Sequence, residues 1–432
     1  MDEFQEGIAF WKLPKTFQDA VRVTRSLGLR YLWIDSLCII QDSDKDWKHQ
    51  CAIMDDIYSN SYVTLAGTDA KDCDSGFLQD RKPLVEAELP LTYNGKSYTI
   101  VFRYWGPRNR CDSTPYRGMP LLRRAWVLQE RLLSRRVLYF DPKTMFMECF
   151  VNVRREDCSH PMSLYNATTL TRKSRRYDLG RDPKWYWQNL TTTYSSLVLS
   201  RVSDKLPALS GIATRFAQVT GFQYLAGIWR QDLPSALAWR VKSSYGIHRK
   251  TINEFPSIHP EDSASSYIAP SWSWAAAGET GVEYSLFNPL SIWYEKLKIL
   301  DCYVSPVDCS APFGVVNGGW LHVSGKTCQV SVKHTKVSRT RPSGLEILSS
   351  TGNECGSFMP DTFAKYDSAV LLYLGRGSRA IYIAHCALAI EPVVDYVDRY
   401  RRVGFVQDEK RSGNPNLYDC FQNQKPRRLY LV

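Results

Sequence analysis

The chain has 432 residues, 44% of them hydrophobic and 23% charged, which is too long for one small domain and ordinary for a globular protein, so two or three domains are expected. Its formal charge of +11 would suit nucleic acid, phosphorylated ligands or an anionic membrane surface. The basic residues are scattered, however, and the densest cluster, "TRKSRRYDLGR" at 171–181, reads first as a solvated loop; a nucleic-acid partner is not expected. The 12 cysteines form no CxxC and the 7 histidines do not pair at ligand spacing, so no metal site is called. The opening "MDEFQEGIAFWKLPKTF" lacks the apolar core of a signal peptide. No stretch reaches the ~18 apolar residues of a spanning helix. The cysteines are therefore read as thiols and the protein is placed in the cytoplasm.

In chain order, Pro14 precedes "KTFQDAVRVTRSLG", where Phe17, Ala20, Val21 and Leu27 recur at helical spacing and Gly28 suits the stop. This predicts a helix over 15–28. "RYLWID" follows, an apolar run that predicts a strand buried on both faces at 31–35. Ser43 and Asp46 form a capping pair for a second helix, 44–58, with Trp47, Cys51, Met54 and Tyr58 along one stripe. "SYVTLAG" is the next strand. Helix–strand–helix–strand order argues for parallel strands joined by crossover helices. Because the chain starts on a helix, the strand expected before it is missing, unless residues 5–13 do part of its work.

Residues 88–105 read as a β-hairpin around Asn94-Gly95. "LLRRAWVLQERLLSRRVLYF" at 121–140 opens as a helix and ends as a strand, and "TMFMECF" at 144–150 is a further strand. From 183 to 219 the pattern is helical, continuing through "YLAGIWRQDLPSALAWR" at 224–240; residues 246–266 are a polar loop. "PSWSWA" at 270–275 alternates, as a strand with Trp272 and Trp274 on one face would. "GWLHVSG", "AVLLYLG", "AIYIAHCALAIEPV" and "RRVGFVQ" make the last third β-rich. The expected division is 1–160, an α/β domain with a parallel sheet and flanking helices; 161–245, a helical segment; and 246–432, a β-rich region. The whole is α+β.

Two long blocks, "LPKTFQDAVRVTRSLGLRYLWIDSLCIIQD…DW……MDDIYSNSYVTLAG" and "RAWVLQERLLSRRVLYF…MECF", resemble the fungal heterokaryon-incompatibility (HET) domain. "YLAGIWR…LAW", "APSWSWAAAGETGVEY" and "YRRVGFV" are similar to segments that follow it in such proteins. The resemblance implies nonself recognition between hyphae ending in programmed cell death. It also implies a distant likeness to the Toll/interleukin-receptor (TIR) domain, a flavodoxin-like fold. Some TIR domains hydrolyse NAD with a glutamate on a helix after a central strand. Two departures stand out: the family's opening aromatic-Ser-Tyr-x-Trp-Gly strand is absent, and its Asp-Trp-x-x-Glu helix reads Asp46-Trp47-Lys48-His49-Gln50.

The candidate catalytic positions are Gln50, as the degenerate counterpart of that glutamate, with Asp35 and Glu130. The candidate ligand contacts are Ser36, Trp47, Arg124 and Gln129. An amide at 50 cannot transfer a proton; it is a satisfied polar residue at a core margin or a ribose contact. Asp35 and Ser36, at the carboxyl end of the expected strand, either line a pocket or cap the next turn. Arg124, Glu130 and Arg131 make a buried ion network that fixes packing, or Arg124 receives phosphate while Gln129 faces a groove. Trp272 and Trp274 are core, or a π-platform for nicotinamide or adenine. Cys38 has no nearby base except His49 on the following helix and is expected to be a buried structural thiol.

The leading functional expectation is a HET-type signalling protein triggered by a protein partner or by self-association. The alternatives are a TIR-type NAD glycohydrolase, for which NAD is the substrate and no cofactor is called, or a chain recruited to another chemistry, such as a biosynthetic one, or decayed to a pseudoenzyme.

Overall fold

The computed structural model describes residues 7–70, 72–79, 86–103, 119–142, 145–150, 153–156, 182–242, 267–278, 281–284, 292–335, 345–349, 352–361, 366–379, 382–408 and 417–432. The basic cluster 171–181 and the expected loop 246–266 lie outside them. The chain divides into two compact units, Met1–Tyr177 and Asp178–Val432. Together they are mixed α/β with a β-rich C-terminal region. Among the described residues no helix is long and apolar enough to cross a membrane.

In the first unit, Lys15–Ser26 is the predicted helix. Gly28 follows it at φ 70°, the left-handed conformation that ends helices. The helix carries an acid, Asp19, on its buried face. Its carboxylate pairs with Lys15, accepts Arg22 Nη1–H at 3.2 Å, and accepts the backbone N–H groups of Phe77 at 3.0 Å and Leu78 at 3.1 Å. Burial pushes the Asp19 carboxyl up, but Lys15 and the two N–H groups outweigh it, and the net shift is downward. Gly76 makes the approach possible. At φ +68°, a Cβ there would stand 2.8 Å from both Asp19 Oδ2 and Lys15 Cγ.

Asp44–Asn60 is the second predicted helix, with Ser43 Oγ accepting the Asp46 N–H at 3.2 Å as a cap. Its stripe packs as read: Met54 is buried, Trp47 meets Trp126 edge-on at 6.3 Å, and Tyr58 meets Trp33 edge-on at 5.7 Å. The strand expected at 31–35 is not one. Residues 29–34 join no sheet and Tyr31 is 86% exposed. Asp35–Cys38 is a single helical turn. The apolar character of this run comes from packing against the following helix, not from burial between two sheet neighbours.

The sheet of this unit consists of β1 (Thr64–Gly67), β4 (Arg136–Phe140), β5 (Met145–Cys149) and β6 (Val153–Arg155), in that order. β1 and β4 are parallel; the other pairs are antiparallel. Between them in sequence, β2 (Glu86–Tyr93) and β3 (Lys96–Arg103) form the predicted hairpin. Its turn residues Asn94 and Gly95 both have positive φ, 51° and 69°, as a two-residue primed turn requires. The helix Ala125–Leu133 leads into β4. Beneath the sheet, Glu148 is buried and takes both Arg131 Nε–H at 2.9 Å and Nη2–H at 3.1 Å, plus the Tyr139 hydroxyl at 2.7 Å.

The second unit opens with helices Pro183–Tyr194 and Pro207–Thr220, each with Pro at its start. The helix does not continue through 224–240. Tyr224–Leu225 (β7) and Ile228–Trp229 (β8) make a tight hairpin, followed by short 3-10 turns and β9 (Trp239–Val241), which pairs with β10 (Val282–Tyr284). Tertiary packing overrides the helical pattern. The Gly227 carbonyl accepts both Trp187 Nε1–H and Trp274 Nε1–H at 2.8 Å, and Ser273 Oγ–H donates to Ala226 O at 2.5 Å. Gly227 sits at φ +96°, and a Cβ there would meet Trp274 Nε1 at 2.8 Å. "PSWSWA" is likewise not a strand but a turn running into the 3-10 helix Trp274–Ala277, with both tryptophans fully buried. They are core, and neither offers a platform to a ligand.

The remaining strands are β11 (Ile292–Glu295), β12 (Lys298–Pro306), β13 (Val316–His334), β14 (Leu345–Leu348), β15 (Glu354–Pro360), β16 (Ser368–Arg379), β17 (Tyr382–Pro392), β18 (Arg399–Gln407) and β19 (Pro426–Leu431). The pairings β13–β14–β15–β18–β17–β16–β13 close a ring. Val330, Ile347, Phe358, Leu371, Ala387 and Val406 fill its interior, and Leu417 and Phe421 of the short helix Leu417–Phe421 join that core. β12 and β11 extend the ring, and β19 pairs with both β13 and β18.

Arg402 of β18 is buried and donates to Asp361 at 2.8 and 3.2 Å, to Leu237 O at 2.7 Å and to Trp239 O at 2.6 Å. Its guanidinium lies 3.3 Å from the Trp239 ring centroid.

Two stability outcomes follow. Asp19→Ala should destabilise the first unit by about 2–3 kcal/mol, because two backbone N–H groups and a lysine lose a charged acceptor. Urea denaturation with circular dichroism measures it, and an unchanged midpoint would refute the role. Arg402→Met should cost about 3–5 kcal/mol, because Asp361 is left as an unpaired buried charge. Adding Asp361→Leu should recover part of that loss. Tryptophan fluorescence reports it, since Trp187, Trp229, Trp239, Trp272 and Trp274 are all fully buried in this unit.

Candidate functional site

The helix Ala125–Leu133 presents side chains in two directions. Arg131 turns to Glu148, so the expected Arg124–Glu130–Arg131 network is two networks. Gln129 is fully buried and faces no groove. Glu130 lies on the other side with Tyr58 from the end of the 44–60 helix, Arg124 just before its own helix, and Asp35 at the head of the 35–38 turn.

Within this cluster the Tyr58 hydroxyl donates to the Glu130 carboxylate. Burial lifts the Glu130 carboxyl first, and the nearby Asp35 charge adds to it. Arg124 and the Tyr58 hydroxyl oppose the rise, and the result is a shift from an ordinary 4.5 to about 7. Tyr58 is pushed well above its ordinary value, by burial first and then by the charges of Glu130 and Asp35, so it keeps its proton. Arg124 and Asp35 are exposed and Glu130 and Tyr58 partly buried, so the cluster opens to solvent. A carboxyl that titrates near neutrality, beside a guanidinium and a phenol, can take or give a proton while an anionic group is held.

Gln50 is elsewhere. It lies two turns before Tyr58 on the same helix, about 12 Å along the axis. Its amide reaches Asp46 Oδ1 at 3.5 Å, while Asp46 Oδ2 accepts the Ile40 N–H at 2.8 Å. Trp47 packs on Trp126. Asp35 Oδ1 accepts the N–H of the next residue, Ser36, at 2.7 Å, the 35–38 turn has no side-chain cap, and the Asp35 charge acts on Glu130. The crevice at the carboxyl ends of parallel β1 and β4 is lined by Asp69, Phe77, Phe140, Asp141 and Pro142 and does not include Asp35 or Ser36.

Of the sequence candidates, Asp35, Arg124 and Glu130 converge; Gln50, Trp47 and Gln129 do not join them. The sequence pattern places Tyr58 only on the apolar stripe of its helix. Its signal was the hydroxyl, since a tyrosine on a packed helix face must find that group a partner.

Residues 2–130 match the family model described as Heterokaryon incompatibility protein (HET). Residues 2–130 therefore carry a HET domain. The match spans all four residues of the cluster and ends on Glu130. No curated protein and no solved structure matches the chain.

Glu130 yields a pH prediction. Its proton is held more tightly in the folded chain than in the unfolded one. Between pH 4.5 and about 7 the folded state therefore binds more protons, and this group's contribution makes stability fall as pH rises through that window. Glu130→Gln should remove this slope and raise the melting temperature at pH 8 relative to the parent. Thermal unfolding at half-unit pH intervals checks it; an unaltered slope would show that Glu130 titrates like a surface acid.

Proposed function

We propose that this chain is an effector of incompatibility-type programmed cell death in fungal nonself recognition, acting in the cytoplasm and triggered by a protein partner or by self-association. The observation that carries this reading is the HET match over residues 2–130. The feature we assign to it is the Asp35–Tyr58–Arg124–Glu130 cluster, in which burial and the Asp35 charge raise Glu130 to about 7. Induced expression of the full chain in fungal cells should arrest growth and admit a viability dye. Glu130→Gln should blunt the effect at equal protein level, and cells that grow normally at high expression of the parent would remove the proposal.

A second reading, hydrolysis of NAD by a TIR-like domain, has one observation on each side. Gln50 replaces the expected glutamate and its amide is directed to Asp46, which argues against that helix position. Glu130, near neutral in its pKa and adjacent to Arg124, is the carboxyl best suited to replace it. Incubated with NAD, the purified chain should release little or no nicotinamide, because the missing charge is worth ~3–4 kcal/mol in such reactions. Robust release that survives Gln50→Ala and is lost in Glu130→Gln would establish the enzymatic reading with Glu130 as its acid/base.

A further inference from the structure

Three cysteines from distant parts of the second unit meet inside the closed ring of strands. Cys328 lies on β13, Cys355 on β15 and Cys420 in the short helix Leu417–Phe421. Cys355 and Cys420 are 65 positions apart in sequence, yet the Cys420 thiol faces Cys355 with sulfurs 3.6 Å apart. Cys420 also contacts Cys328. This separation is ordinary contact between two thiols and needs only a small closing motion to reach bonding distance. Their exposure differs: Cys328 and Cys355 are buried, whereas Cys420 is partly exposed. A small oxidant therefore meets Cys420 first.

We propose that Cys355 and Cys420 form a reversible disulfide under peroxide, tying the Leu417–Phe421 helix to the wall of the barrel. In the first step the Cys420 sulfur attacks one peroxide oxygen. The O–O bond breaks, Cys420 becomes a sulfenic acid and, with hydrogen peroxide, water leaves. In the second step the Cys355 sulfur attacks the Cys420 sulfur, the S–S bond forms, the S–O bond breaks, and the departing hydroxide takes the Cys355 proton as a second water. The two thiols lose two electrons and the peroxide gains them. A dithiol reductant reverses the change by thiol exchange. Contact with Cys420 and burial push the Cys355 thiol up, and Cys420 is pushed to about 11, first by its contact with Cys328. Both are thus protonated at neutral pH, so the pair reacts slowly and responds to sustained rather than brief oxidation.

The test uses the full chain, reduced, exposed to hydrogen peroxide at low protein concentration, alkylated and digested without reductant. Peptide mass spectrometry should find the Cys355 and Cys420 peptides joined, two hydrogens lighter than their sum, and separate again after dithiothreitol. In Cys355→Ser, Cys420 should instead accumulate as a sulfenic acid that dimedone traps. The exposed thiols Cys38, Cys73 and Cys309 report that the oxidant acted. Linkage of Cys420 to Cys328 in the parent would overturn the assignment. So would Cys355 and Cys420 both remaining alkylatable after those exposed thiols are fully oxidised.

Discussion

The second unit depends on a charge that has been taken out of water. Arg402 has no solvent to fall back on, so its nitrogens must find acceptors, and all three do, in Asp361 and in the carbonyls of Leu237 and Trp239. This requirement fixes more than one strand. It sets where the irregular segment after the second helix must present the carbonyls of Leu237 and Trp239. The short turns at 230–237 lead those carbonyls to the buried guanidinium. The indole of Trp239 then covers the cation's face. Buried ion groups of this kind add little net stability but are severe about alternatives, since any misplacement strands a charge.

The first unit applies the same chemistry to two different ends. Asp19 and Glu148 are acids whose every oxygen is matched by donors, and they hold loops and strands in place. Glu130 is matched less completely. It has one hydroxyl donor and a nearby guanidinium, but also the charge of Asp35. Its carboxyl is consequently poised between two protonation states near neutral pH, while Asp19 is shifted below the ordinary carboxylate value. That contrast, within a single domain, separates a residue that holds the fold from one that can respond to something arriving at it.

Where the sequence was readable, local chemistry decided the outcome. Asn94-Gly95 fixes its hairpin because only such residues accept both positive φ values, and Ser43 caps its helix through an oxygen three residues from the N–H it serves. The misreadings share a cause. Residues 31–34 are apolar enough for a buried strand, but whether a run pairs in a ladder depends on a neighbouring strand that periodicity cannot supply. Residues 224–240 have a helical pattern, yet Gly227 is claimed by two tryptophans from 40 or more positions away. The candidate site was half visible. Asp35, Arg124 and Glu130 stood out as charged residues beside apolar runs. Their convergence on Tyr58, and the parting of Arg131 toward Glu148, depend on which side of a helix faces which neighbour.

The pairing of β19 has a consequence for how the protein is made. Leu431 pairs with Leu321 and Lys326 with Pro426, so β13 waits for a partner about a hundred residues further along the chain. On the ribosome, β13 emerges long before β19 exists; its other edge can pair with β12, but the edge along 321–326 that faces β19 stays unpaired through the synthesis of everything between. In the first unit, the last strand of the sheet among the described residues is β6, which appears soon after its partners. The two units are therefore assembled on different schedules: the HET domain can fold while translation continues, whereas the barrel's extended sheet is finished only after residues 426–431 have left the exit tunnel. During that interval an unpaired edge is exposed, and it is then that the chain is most open to capture by a chaperone or by another nascent copy.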